Sequence, residues 1–327
     1  MLLLTDEHVR SLTQMSDLVS AIREGYRTQA RGGAQLPDRI NLESTPGFFR
    51  LMPGVSAGTG LMGFKVFNQV SEGGVQYLIG LFDELTGELL AQLDGAYLTA
   101  ARTGATTGVA AGLLAPRTAV EIGVIGSGLE AETNLEGVFA ALEVKRVRVF
   151  SPNPQRRNAF VDRMAARLDV EVVPVSDPAE AAAAPVVVVA TNTGAGTGRI
   201  ALEGKWLAPG TTVLSIGSTM PSLREIDTDV VDRAALVVSD APEQARMESG
   251  DLLAADEKGL LDGKIVTLAD LAIGRVPAHD ADAITVFKSV GTALQDLVAA
   301  KVIYDRAVQN GIGTSVDLLR TKKPAGA

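Results

Sequence analysis

Residues 118–131 read T-A-V-E-I-G-V-I-G-S-G-L-E-A. Val120–Ile125 is a short apolar run of the kind that forms a buried strand, and it stops at Gly126. Gly126, Gly128 and Ala131 then form a G-x-G-x-x-A pattern that opens a helix. This strand–loop–helix placement is the one a dinucleotide requires. The first glycine allows the tight turn, the second lets the backbone approach a pyrophosphate, and the alanine permits close helix–strand packing. The free N–H groups of the helix would then receive the phosphates. Without further strand–helix units, the same stretch would be only a glycine-rich turn.

Such units follow. Short runs at 147–151 (VRVFS), 170–174 (VEVVP), 185–191 (PVVVVAT), 211–217 (TTVLSIG) and 235–239 (ALVVS) alternate with helical stretches as far as about Val286. Continuous apolar strands alternating with helices indicate a parallel sheet covered on both faces, an α/β Rossmann-type doubly wound arrangement. Upstream the grammar differs. Ser16 reads as the N-cap of a helix carrying Leu18, Val19, Ile22 and Tyr26, ended by Gly32–Gly33. Between Arg39 and Leu93, extended runs (RINLES, FFRLM, GLMGFKVFNQ, QYLIGLFD, GELLAQLD) are separated by breaks, and Asp83–Gly87 reads as a hairpin turn. This is an antiparallel, meander-like half. Tyr97–Leu114 is a helix rich in Ala, Gly and Thr, suited to close packing. Val290–Gln309 is a last helix, with Ala293, Leu297, Ala300 and Ile303 at helical spacing.

Composition narrows the function. The 327 residues contain 46% apolar and 21% charged residues, no cysteine, and histidine only at His8 and His279. Thiolate chemistry and disulfides are excluded, and no His/Asp/Glu spacing suggests a metal site. Both histidines read as solvated and Trp206 as a packing residue. Thirty-four glycines exceed the usual share of about 7%. A net charge of −9 disfavours nucleic acid, so an anionic ligand would need a local Lys/Arg cluster. The first residues, MLLLTDEHVR, do not form a signal peptide. The apolar stretch Ala179–Ala190 is broken by Glu180 and Pro185 and is too short to span a membrane. The expectation is a soluble cytoplasmic protein with a small-molecule substrate.

The strand after the glycine loop bears on the nucleotide. An NAD site usually carries an acid at its end to accept from the ribose hydroxyl. Here the run is V-F-S-P-N-P-Q-R-R, with no acid between Arg146 and Val161. Ser151, Asn153, Arg156 and Arg157 suit a 2′-phosphate, which favours NADP(H). Solvated arginines at a helix start, with NAD(H) bound, is the alternative.

Taken together, the motifs resemble the ornithine cyclodeaminase/mu-crystallin family. The matching segments are G-F-K-V (Gly63–Val66), L-T-A-A-R-T-G-A (Leu98–Ala105), G-S-G-x-x-A and A-T-N-T (Ala190–Thr193). Further matches are S-I-G-S (Ser215–Ser218), E-S-G-D (Glu248–Asp251) and V-F-K-S-V-G (Val286–Gly291). The resemblance covers nearly the whole chain, and the last helix is similar to the mu-crystallin branch. It implies a substrate-binding and dimerisation domain from residues 1–115 and 290–327, around a Rossmann domain at 116–289, in a homodimer. It also implies a substrate carboxylate held by Arg39, Lys65 and Arg102, with Lys65 exchanging a proton with an imine or amine. The expected cofactor residues are Thr103, Gly126, Ser127, Gly128, Leu129, Ala131, Ser151, Asn153, Arg156, Thr191, Gly217, Ser218, Ser289 and Gly291.

Two positions depart from the cyclodeaminases of that family. Thr219 stands where they carry a proton-transferring Asp, and a threonine is a poor base near neutral pH. Arg50 stands where they carry a Glu for the distal amine of ornithine, and a cation there repels an ammonium. Arg50 either receives a second carboxylate or is a surface strand residue. The leading expectation is an NAD(P)H-dependent oxidoreductase acting on the C=N or C–N bond of a small α-imino or α-amino acid, with Lys65 or a water near Thr219 supplying the proton. A cyclodeaminase with catalytic NAD and a non-catalytic nucleotide-binding protein are the alternatives.

Overall fold

The computed structural model describes residues 1–45, 47–70, 74–115, 120–192, 199–276, 280 and 282–319. His279, and Thr193 of the A-T-N-T motif, lie outside them. The chain separates into two compact units, 1–102 with 292–327, and 103–291.

The first unit begins with β1 (Leu2–Leu4), α1 (Asp6–Leu12) and α2 (Met15–Ala30). It continues through β2 (Ala34–Gln35), β3 (Ile40–Ser44), β4 (Gly47–Ser56), β5 (Leu61–Val70), β6 (Gly74–Asp83) and β7 (Leu89–Asp94). Helix α3 (Ala96–Leu114) carries the chain across the division, which falls between Arg102 and Thr103. The second unit runs β8 (Val120–Ile125), α4 (Leu129–Ala141), β9 (Val144–Phe150), α5 (Pro154–Arg167), β10 (Glu171–Pro174), α6 (Pro178–Ala182), β11 (Val186–Val189) and β12 (Thr212–Ser215). It is completed by α7 (Thr228–Arg233), β13 (Ala234–Ser239), α8 (Pro242–Glu248), α9 (Gly250–Asp256), β14 (Ile265–Thr267), α10 (Leu268–Ala272) and β15 (Ile284–Lys288). Helix α11 (Ala293–Asn310) and β16 (Thr314–Ser315) belong to the first unit.

Strands β4, β5, β6 and β7 form the expected antiparallel meander, with β3 and β2 against β4 and β1 against β7. The Asp83 carboxylate accepts from the N–H groups of Leu85 (3.0 Å) and Thr86 (2.7 Å), which closes the β6–β7 turn. Ser16 does not cap α2. The helix starts one residue earlier, at Met15, with Gln14 at the N-cap and no side-chain cap bond, because Ser16 already lies within the first turn.

Side chains alternate across a strand, so the register assigns residues to faces. Asn41, Arg50, Met52, Lys65, Phe67, Tyr77 and Ile79 share one face. Helix α11 packs there, where a Cβ on Gly63 would meet the Leu297 side chain. Ile40, Leu42, Phe49, Leu51, Val66 and Leu78 share the opposite face. That face is open, with Ile40, Leu42 and Phe49 exposed by 48%, 57% and 43%.

The second unit contains a wholly parallel sheet in the order β10-β9-β8-β11-β12-β15-β13-β14. The order reverses between β8 and β11, the switch point outside which open α/β sheets bind ligands. Val186–Val189 and Val213 are fully buried, as continuous apolar strands require. Helices α3 and α4 touch backbone to backbone. A Cβ on Gly104 would strike the Thr133 carbonyl, and one on Gly137 would strike the Gly104 carbonyl.

Candidate functional site

In the first unit, β5 places Lys65 on the meander face and α3 places Arg102 at the end of its second turn. Both are buried, Lys65 to 2% exposure and Arg102 to 5%. Arg39, just before β3, is near enough for its charge to act on Lys65. The three cations named from sequence are therefore together.

Two residues of α11, which the sequence reading did not single out, organise them. Asp296 is fully buried, with Lys65 Nζ 3.0 Å from Oδ1 and 2.8 Å from Oδ2. Arg102 Nε donates to the same Oδ1 at 2.9 Å, and its Nη1 donates to Gln295 Oε1. Gln295 Nε2 in turn donates to the Tyr26 hydroxyl at 2.6 Å. Gln295 also closes the capping box of α11 with Thr292. Asp296 thus sits in the first turn, where the helix dipole favours an anion.

Burial, above all, lowers the Lys65 pKa from 10.5 to about 7; the charge of Arg102 and then Arg39 lowers it too, against Asp296, which raises it. A lysine poised there exchanges protons near neutral pH. Arg50, half-buried, lies on the same sheet face as Lys65. It extends over the rings of Phe48 (5.5 Å) and Phe67 (5.3 Å), and its Nε donates to Asn41 Oδ1. Lys65 Nζ approaches the same Phe67 ring at 5.6 Å.

The second unit bears the glycine loop at the C-terminal end of β8. Gly126 has φ +133°, which side-chain-bearing residues rarely adopt, and a Cβ there would strike the Ala190 carbonyl. Gly128 is the N-cap of α4, and open space surrounds the position its Cβ would take. Leu129 begins the thirteen-residue helix, and Ala131 is fully buried beneath it. Backbone N–H groups at a helix start beside open space fit a pyrophosphate.

Ser127 Oγ donates to Ser151 Oγ at 2.9 Å, joining the loop to the end of β9. Asn153 caps α5 by accepting from Arg156 N, and Arg157 Nη1 reaches the Ser151 carbonyl at 3.2 Å. Arg156 is exposed on the first turn of α5. Glu132 pairs with Arg163 and ties α4 to α5. His8 proves to be the third helical residue of the α1 capping box.

Two further expected cofactor positions, Thr191 and Gly217, border a buried ionic cluster. Glu225 Oε1 accepts from Ser215 Oγ (2.7 Å) and Gly217 N (2.6 Å), and Oε2 accepts from Thr191 N (3.0 Å) and Thr191 Oγ1 (3.1 Å). Lys288 Nζ donates to Ser215 Oγ at 2.9 Å and lies 3.0 Å from Asp251 Oδ2 and 3.4 Å from Glu225 Oε1. Desolvation raises the Glu225 pKa, and Lys288 opposes it. This cluster pins the ends of β11, β12 and β15 together.

Ser218 Oγ lies 3.3 Å from Ser249 Oγ and donates to the Leu223 carbonyl. Ser289 Oγ donates to Asp240 at 2.7 Å, as does Gly291 N at 2.8 Å. Ser218 and Ser289 therefore shape their turns through their own protein partners. Thr103 is buried on α3, and Thr219 is half-buried in the loop after β12. Glu225, Asp251, Lys288 and Asp240 were missed as a group. Asp251 and Lys288 lie in the E-S-G-D and V-F-K-S-V-G segments, and a charge inside an apolar run, as in I-T-V-F-K, is a further signal.

Residues 1–311 match the ornithine cyclodeaminase/mu-crystallin family. An alanine dehydrogenase of Archaeoglobus fulgidus is 31% identical, over 98% of this chain and 99% of its own length. The Thermococcus litoralis Δ1-pyrroline-2-carboxylate reductase, solved with NADH and L-proline, is 30% identical with a TM-score of 0.90, over 97% of this chain and all of that one. An archaeal alanine dehydrogenase dimer with bound NAD is 29% identical with a TM-score of 0.89, over 98% and 99%.

Proposed function

Because the chain belongs to the ornithine cyclodeaminase/mu-crystallin family, we propose that it is an NAD(P)H-dependent oxidoreductase. It reduces the C=N bond of a small α-imino acid to the α-amino acid and catalyses the reverse oxidation. The observation that carries this reading is the buried Lys65–Asp296–Arg102 constellation with Arg39 beside it. Arg39 and Arg102 hold the substrate carboxylate by charge-assisted hydrogen bonds, which fixes the neighbouring imine carbon. When bound, the reduced nicotinamide supplies a hydride. Lys65 would deliver the proton that completes the N–H bond as the C=N π pair moves to nitrogen. Thr219 takes no proton in this scheme and serves to orient water.

The Gly126–Ala131 loop and the start of α4 would hold the cofactor pyrophosphate. The 2′-position of the ribose falls to Ser151, Asn153 and Arg156, and the lack of an acid after β9 supports NADP(H). Arg50, which approaches the same Phe67 ring as Lys65, borders the substrate side chain and disfavours an ammonium there. The open apolar face of Ile40, Leu42 and Phe49 supports a homodimer, since an exposed patch of this kind marks an interaction surface. Among the described residues, no helix is long and apolar enough to cross a membrane.

The test follows cofactor absorbance with NADPH or NADH against cyclic ketimines and against pyruvate with ammonia or methylamine, with ornithine and catalytic NAD in parallel. Net oxidation of the cofactor with an imine supports the reading. Proline and ammonia from ornithine without net cofactor change would replace it with a cyclodeaminase. Cofactor binding without turnover in either assay would replace it with a binding protein.

A further inference from the structure

The carboxylate of Asp296 lies where the proposed scheme needs none. A site for an anionic substrate would be strongest with cations alone, yet a fully buried carboxylate contacts both Lys65 and Arg102. The charged and titratable groups facing Lys65 can be named from each element around it. They are Asp296 from α11, Arg102 from α3 and Arg39 from the segment before β3, while Arg50 of β4 and Tyr77 of β6 meet the Phe67 ring that Lys65 Nζ also approaches. Tyr26 of α2 joins through Gln295. Asp296 is the one anion among them.

We propose that Asp296 is a positioning residue that makes the site proton-coupled, holding Lys65 Nζ and Arg102 so that a carboxylate-bearing ligand binds together with one proton. Without ligand, burial and two guanidinium groups oppose the ammonium form of Lys65, and Asp296 alone favours it. That balance leaves Lys65 largely neutral above a pH of about 7. An arriving carboxylate adds a second anion beside Nζ and drives it to the ammonium form, which is the form that donates to an imine nitrogen. The substrate thereby charges the acid that its own reduction consumes. This inference rests on the proposed reading that these cations hold a carboxylate.

The test is calorimetric titration of the protein, loaded with reduced cofactor, with cyclopentanecarboxylate. This ring-bearing carboxylate has no amine of its own to titrate. At pH 8 the binding heat should vary with the ionisation enthalpy of the buffer, corresponding to uptake of close to one proton, and at pH 6 this dependence should vanish. Asp296→Asn should move the pH of half-maximal uptake down by roughly one to three units, and Asp296→Glu should restore part of that shift. A purely structural Asp296 would weaken binding without moving the midpoint. Buffer-independent heat at pH 8 in the unmodified protein would overturn the inference whether or not the variants fold. Failure of both cyclopentanecarboxylate and L-proline to bind would instead remove the carboxylate site itself, and the inference with it.

Discussion

Lys65 is held by opposing forces, and its chemistry follows from their near balance. Burial, Arg102 and Arg39 lower its pKa and Asp296 raises it, which leaves it at about 7. Imine reduction needs the ammonium form, so kcat/KM for reduction should fall as pH rises through about 7. Amine oxidation needs the neutral form and should rise over the same interval, measured as pH–rate profiles in the two directions. Lys65→Ala should lower kcat for reduction by about 10² to 10⁴, and full activity in that variant would remove the proton-transfer role. For the nucleotide, Arg156→Ala should raise KM for NADPH by about tenfold or more and leave NADH nearly unchanged, as expected for loss of one charge-assisted contact. Lys65 and Arg102 could be singled out as candidates because they lie in the G-F-K-V and L-T-A-A-R-T-G-A segments. Asp296 could not, since Q-D-L-V reads as an ordinary first helical turn until tertiary packing brings it to Lys65.

The elements of the second unit were legible because their signals are local. Continuous valines mark strands, and glycines at fixed offsets mark the loop after β8. The ionic cluster at the strand ends was not legible, because Glu225, Asp251 and Lys288 come from three separate segments and only folding joins them. Lys288→Ala leaves two buried carboxylates without their cation and should destabilise the protein by about 3–5 kcal/mol in denaturant unfolding. The α3–α4 contact behaves differently. Gly137→Ala places a methyl group against the Gly104 carbonyl, and the overpacking should cost about 1–3 kcal/mol, read as a lower Tm. Ser16 shows how local signals mislead: a good capping residue already within the first helical turn contributes nothing as a cap.

For the whole molecule, the chain returns to its first unit through α11, and that return delivers Asp296 and Gln295 to Lys65 and Arg102. The same helix covers one face of the meander, while the other remains apolar and open. If that face joins two copies, Phe49→Asp combined with Leu42→Asp should convert a dimer to a monomer in sedimentation velocity, with the fold retained by circular dichroism. The reaction itself is followed most directly by the fate of one hydrogen. Reduced cofactor carrying deuterium at the transferred C4 position, mixed with protein and a cyclic ketimine carboxylate, should yield an amino acid with one deuterium on its α-carbon and one equivalent of oxidised cofactor. Product without deuterium, or conversion of ornithine to proline with no net change in cofactor, would contradict it.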